Sequence, residues 1–238
     1  MRKGSLTFVA AIAVLAGVSF AWMRIDALGS DSPLPTSSQL TQALTSAPSV
    51  GGDAGGLFHG SRMWAAIVDR SGDVVLAVTS TSDSTQVWPG SEAIAKSKAY
   101  TANAFSLDSL ALSTAQLYTF TQPGHSLFTL GQSNLALPNT GSAKRYTTGL
   151  ITFGGGVPLY KNGKIIGGLG ISGDTASCDH EIAKRVRDIL GLNPPGGSLV
   201  DDISYSSVDG ASVFTHPLSL NTWRNGIFIG NELPASGY

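Results

Sequence analysis

The sequence predicts a single α+β domain, and three observations carry that prediction. Two apolar runs rich in β-formers, Met63 to Val68 and Val74 to Thr79, flank the turn cluster Asp69-Arg70-Ser71-Gly72-Asp73. Further along, Val157 to Tyr160 and Ile165 to Ser172 flank Lys161-Asn162-Gly163-Lys164, and Asn-Gly is the pair that a type I′ hairpin turn prefers. Stretches with helical spacing lie between and after these hairpins. The expected architecture is an antiparallel sheet with helices packed over it. Neither run of the first hairpin alternates cleanly, which places that hairpin centrally in a sheet covered on both faces.

The elements follow in order. Arg2 and Lys3 precede an apolar stretch from Leu6 to Phe20, and Ser19-Phe20-Ala21 and Ala27-Leu28-Gly29 offer small-residue exits. Residues 1–29 therefore read as a secretory signal peptide, with an uncleaved membrane anchor as the alternative. Residues 30–58 are rich in Ser, Thr, Pro and Gly and read as a linker, with a short helix around Gln39 to Thr45. The domain is expected over 59–238, its strands opening at Met63. Trp88-Pro89-Gly90-Ser91-Glu92 starts a helix running to Ala104, with Ile94, Thr101 and Phe105 on one edge beside a row of Ala95, Ala99 and Ala102. A second helix is expected over Ser109 to Thr119, then a long excursion over 122–147. The last helix spans Asp179 to Leu190, with Ile182, Val186 and Ile189 inward and Lys184, Arg185 and Arg187 outward. A tail with one strand, Ile203 to Ser206, ends the chain.

Composition excludes several classes. Charged residues make up 13% of the 238 and the net charge is −1, so no basic field is present to hold nucleic acid. Cys178 is the only cysteine, which rules out an intrachain disulfide and every multi-cysteine metal framework; a small buried residue is the expectation for it.

The motifs point to a pocket rather than to a catalytic constellation. Gly168-Leu169-Gly170-Ile171-Ser172-Gly173 matches G-x-G-x-x-G, but it lies in the second arm of an antiparallel hairpin, where its glycines let another element pack closely. Gly170-Ile171-Ser172-Gly173-Asp174 lacks the last glycine of a nucleophile elbow. The histidines, His59, His125, His180 and His216, show no paired ligand spacing. His180 follows Asp179, read as an N-cap, and the positive end of the helix dipole there favours a neutral imidazole able to ligate iron. His125 in the long loop is a second ligand candidate. Lys98 falls on the apolar side of its helix, where it either snorkels or meets an anionic ligand. Gly154-Gly155-Gly156 can turn amides toward a carboxylate or serve as a plain strand entry.

Met63 to Val78 with its Asp-Arg-Ser-Gly turn, Ala95-Lys96-Ser97-Lys98-Ala99-Tyr100-Thr101-Ala102, Gly155-Gly156-Val157-Pro158-Leu159 and Gly168 to Gly173 occur in that order. Over residues 60–190 this set resembles the GlcG/HbpS family of haem-binding proteins, also called the haem-degrading domain and related to the C-terminal part of PduO-type proteins. Asp179-His180-Glu181-Ile182-Ala183 is similar to its longer, exported branch. The resemblance implies a profilin-like fold, assembly into dimers or larger rings, and haem as cofactor. It also implies haem degradation, iron handling or redox sensing for some members. The cofactor-binding residues expected on this reading are His180, as ligand to the haem iron, with His125, Lys98, Thr101, Gly155, Gly156 and Gly173. His180 is assigned from its position in this chain, not carried over. The expected location is periplasmic or extracellular. Two other readings stay open: a sensory module that binds a small carboxylate or a protein, and a haem-degrading enzyme. No acid/base pair demands catalysis, which favours binding.

Overall fold

The computed structural model describes residues 32–133 and 149–234, and Leu34–Tyr238 forms one compact unit. The expected signal peptide and most of the 122–147 excursion lie outside the described residues. The elements are α1 (Ser37–Ser46), β1 (Trp64–Asp69), β2 (Val74–Thr79), α2 (Ser91–Phe105), α3 (Phe128–Ser133), β3 (Gly156–Lys161) and β4 (Lys164–Ser172). They continue with α4 (Ala176–Ile189), β5 (Ser204–Tyr205), α5 (Ser206–Asp209), β6 (Thr215–His216), β7 (Thr222–Arg224) and β8 (Ile227–Gly230). No helix among the described residues is long and apolar enough to cross a membrane.

The fold is α+β. Two hairpins join into a four-stranded antiparallel sheet of order β2-β1-β4-β3. The second turns on Asn162 and Gly163, both with positive φ, as a type I′ turn requires. Strand alternation then sorts the sheet's faces. Ala65, Ile67, Val157, Leu159, Leu169 and Ile171 join Leu40 and Leu44 of α1 and Ile182 and Val186 of α4 in the main core. On the other face Gly168 and Gly170 lie directly under α2. A Cβ on Gly170 would run into the carbonyl oxygen of Ala95, and one on Gly168 into that of Ala99. The alanine row of α2 and the glycines of β4 are thus two halves of one close helix-on-sheet contact. That contact accounts for G-x-G-x-x-G without a nucleotide.

Several expectations are corrected. β1 is central and buried, whereas β2 is an edge strand of the sheet and only partly buried. The expected helix over Ser109 to Thr119 is absent. In its place are short 3-10 turns at Ala115–Leu117 and Thr119–Thr121. The chain there bonds elsewhere: Ser106 Oγ accepts from Leu112 N (3.0 Å), and Thr114 N donates to Gly156 O (3.0 Å).

The linker expected over 30–58 is, from Leu34 onward, part of the domain. Thr36 and Gln39 form a capping box, and Leu40, Ala43 and Leu44 are buried in the main core. The following loop is held by Arg185, whose guanidinium donates to the carbonyls of Ala47 (3.3 Å), Gly52 (2.9 Å) and Asp53 (3.2 Å). Arg185 therefore does not point outward. Lys184 and Arg187 are buried as well, while Ile189, expected inward, is exposed. The reason is tertiary, since the tail beyond residue 192 lies over the polar face of α4. β5 and β6 pair in parallel and β7 and β8 form a hairpin, and this tail packs its own small cluster of Ala115, Ile203 and Tyr205.

Candidate functional site

The helix that carries His180 starts three residues earlier than the sequence suggests. Thr175 is its N-cap, accepting from Cys178 N at 3.4 Å, and Asp179 sits inside the first turn. Asp179 is a partner for Lys98 instead of a cap. Lys98 Nζ donates to Asp179 Oδ2 (2.7 Å) and to the Ile171 carbonyl (3.0 Å), and it lies 4.7 Å from the centroid of the Phe153 ring. Both charged side chains are buried, at 0% and 2% exposure. Burial pushes the Asp179 carboxyl up to about 6 against the pull of the ammonium, and burial lowers the Lys98 pKa against the pull of the carboxylate. The ammonium is enclosed by protein and presents no face to an anionic ligand.

The other expected contacts are also internal. Thr101 Oγ1 donates to Ser97 O (2.7 Å) and accepts from Ile151 N (3.0 Å). Gly156 N donates to Thr114 Oγ1 (2.8 Å), and Gly155 O accepts from Ile171 N (2.7 Å). Gly154 N donates to His216 Nε2 (3.2 Å). Gly173 ends β4 against Arg62 and Met63. His125 is exposed in the turn before α3, whereas His180 is completely buried, so the structure does not bring this pair together. Cys178 is buried, and burial raises its thiol pKa well above the usual value.

His180 stands apart because neither ring nitrogen has a hydrogen-bond partner, although the ring is 0% exposed. Its Nε2 is 3.5 Å from Asp202 Oδ1, within ion-pair range but not a hydrogen bond, and Nδ1 faces no partner. Asp202 comes from the tail and also meets Lys184 Nζ at 2.7 Å. Despite its burial, the neighbouring His180 and Lys184 hold its carboxyl far below the usual carboxylate range. Lys184 in turn meets Glu181 Oε2 (3.1 Å) and Asn225 Oδ1 (3.0 Å). One turn on, Arg187 and Asp201 form a bidentate pair at 2.7 and 2.6 Å, both 0% exposed.

His216 completes the cover. Its Nε2 accepts from Gly154, so the proton sits on Nδ1 and is donated to Pro217 O at 2.7 Å. Burial pushes its pKa down to about 4. Tyr118 lies against the ring, 4.9 Å between centroids. Asp201, Asp202, Tyr205 and His216 were not legible as site residues in the sequence. They sit in a tail without periodicity, and only tertiary contact joins them to α4.

A family model described as "Haem degrading protein HbpS-like" matches residues 54–188, more than half of the chain. The chain belongs to this family. The match takes in α2, both hairpins and all of α4 but its last residue, and it ends before the tail. A 15.0 kDa protein from the dhaT-dhaS intergenic region of Citrobacter freundii is 34% identical over 95 residues, 40% of this chain. That match spans about half, 55%, of the relative's own length. Among solved structures, PduOC in complex with haem is 27% identical with a TM-score of 0.49, covering 66% of this chain and 92% of that one. The Klebsiella pneumoniae protein ORFY is 25% identical with a TM-score of 0.47, covering 65% and 86%.

Clefts of about 220, 260 and 530 Å³ occur on the described surface, and none is lined by His180, His125, Lys98, Thr101, Gly155, Gly156 or Gly173. Lys98 and the glycines are engaged with protein. Of the two expected histidine ligands, His180 is sealed with neither ring nitrogen hydrogen-bonded, and His125 is exposed.

Proposed function

We propose that this chain is an exported haem-binding protein that handles haem or its iron outside the cytoplasm. The observation that carries the reading is membership of the HbpS-like, haem-degrading family over residues 54–188. His180 supports it from the residue side, since among the described histidines it combines full burial with an unpartnered ring nitrogen. Buried polar atoms without partners are rare and demand an occupant or a purpose. The geometry adds a condition: His180 can meet the iron only when its cover moves. Lys98, Thr101, Gly155 and Gly156 keep α2 and the 150–156 arm in place instead of meeting propionates. Binding is favoured over degradation, because the sequence shows no acid/base pair that demands catalysis. Export rests on the charge, apolar run and small-residue exit at the N-terminus. Assembly into a dimer or larger ring belongs to the same proposal, and sedimentation equilibrium tests it.

Hemin titration of the purified protein, followed at the Soret band, tests the haem reading. A saturable red shift that weakens in His180→Ala supports it; the absence of any shift in the wild type rejects it. Incubating the complex with reductant then tests degradation, which requires release of iron and a bilin. The enclosure of His180 keeps a second reading in play, in which the domain is a sensory module for a small carboxylate or a partner and binds no haem. A thermal-shift panel of hemin against small organic acids separates the two, since only the true ligand raises Tm with concentration.

A further inference from the structure

We infer that the C-terminal segment from Asp202 to Asn225 is a releasable strap that controls access to His180. This rests on the reading of His180 as a ligand-binding residue and names what regulates it. The strap lies beyond residue 188, where the family match ends, whereas His180 lies inside the match. The core beneath does not depend on the strap. The main core takes its buried members from Leu40 to Leu192, whereas Ile203 and Tyr205 pack in a separate cluster with Ala115, flanked by Leu218 and Ile229. Lifting the strap therefore leaves both sheet faces covered.

The strap packs on Ala115 through Ile203 and Tyr205 and is tied to the N-terminal loop by Gly56 N donating to Asn221 O (2.8 Å), but the contacts it makes with α4 beside His180 are polar. Asp202 meets His180 and Lys184, Ser219 Oγ meets Ser177 Oγ at 2.9 Å, and Asn225 meets Glu181 and Lys184. Water can replace each of these when the strap opens, which it cannot do for an apolar contact. The closed state also leaves His180 Nδ1 and the Tyr205 hydroxyl buried without partners, so closure forfeits hydrogen bonds that opening restores. The buried Arg187–Asp201 pair stands at the strap's upstream end and is its fixed anchor. Within the strap His216 accepts from Gly154 at 3.2 Å, a hydrogen bond to the 150–156 arm that breaks on opening, while the arm stays bonded to Thr101, Thr114 and Ile171. An open strap would bare His180 on a preformed helix, with α2 and Lys98–Asp179 undisturbed.

The test locks the strap in the full-length protein. Ser177→Cys with Ser219→Cys places two thiols where hydroxyls now touch, close enough for a disulfide to form. Carbethoxylation of His180 by diethyl pyrocarbonate, read by peptide mass spectrometry, reports access without haem; hemin uptake is measured in parallel. Labelling of His180 should fall by about tenfold or more in the oxidised variant and return on reduction, because it tracks the open fraction. Equal labelling of oxidised and reduced forms overturns the strap. Should the double variant not fold, Asp202→Asn serves in the opposite sense: faster labelling than wild type is expected, and unchanged labelling overturns the proposal. Gated labelling with no hemin uptake in either state upholds the strap and removes the haem reading. Hemin uptake that needs His180 but ignores the lock upholds the haem reading and removes the strap.

Discussion

Lys98 and Asp179 each carry a charge that water would stabilise better than this interior does, and each is tolerable there because of the other. Removing one partner leaves an uncompensated buried charge, at a cost of about 3–5 kcal/mol. Lys98→Met and Asp179→Asn should each lower stability on that scale in urea denaturation, whereas Lys98→Met/Asp179→Leu should recover most of the loss. A double variant whose loss equals the sum of the two single losses would mean that the pair is not coupled. His216 makes a pH prediction. Its folded pKa of about 4 lies below the ordinary histidine value of 6.5, so the folded state binds fewer protons in that window. Its contribution is present above about 6.5 and lost as pH falls toward about 4, on the order of 3 kcal/mol. Asp179, raised from 3.8 to about 6, acts oppositely in the same range, since its burden eases as pH falls through 6. The His216 share is therefore the difference between wild type and His216→Gln. The variant should lose less stability between pH 7 and 4.5 than the wild type, and parallel pH curves would contradict this.

At the scale of elements, the contact between α2 and β4 depends on the absence of side chains. Gly170→Val pushes two methyl groups toward the Ala95 carbonyl, and overpacking of this kind costs about 1–3 kcal/mol or more. We expect a lowered urea midpoint and, in the soluble fraction, loss of near-ultraviolet dichroism. An unchanged midpoint would mean that α2 stands farther off than described. These elements were legible because local signals and tertiary packing agree in them. The Asn162-Gly163 turn, the alanine row of α2 and the glycines of β4 each carry their own physical reason in the sequence. The stretch from Ser109 to Thr119 was not, because its polar groups bond to β3 and to each other, and no periodicity betrays that. Arg185 and Arg187 misled for a related reason. A charged residue on an amphipathic helix normally faces water, and only the folded N-terminal loop and tail supply the carbonyls and the carboxylate that bury them here. His180 was legible as a special position but not as a sealed one. Its cover comes from residues 201–225, which contact α4 only in three dimensions.

For the whole molecule, the segments outside the family match of residues 54–188 pack against the sheet and α4 from both ends. α1 and its loop close one side through Leu40, Leu44 and the Arg185 contacts, and the tail closes the other through Asp201, Asp202 and His216. His180, inside the family match, lies under the strap that follows it. Haem binding by this core, through His180, is the central claim, and hemin titration of full-length wild type beside His180→Ala tests it most directly. The account predicts a saturable Soret shift in the wild type and an affinity at least about tenfold weaker in the variant, a difference of some 1.4 kcal/mol. A wild-type spectrum that never departs from free hemin would contradict the claim that this chain binds haem. A variant that titrates identically would contradict the assignment of His180.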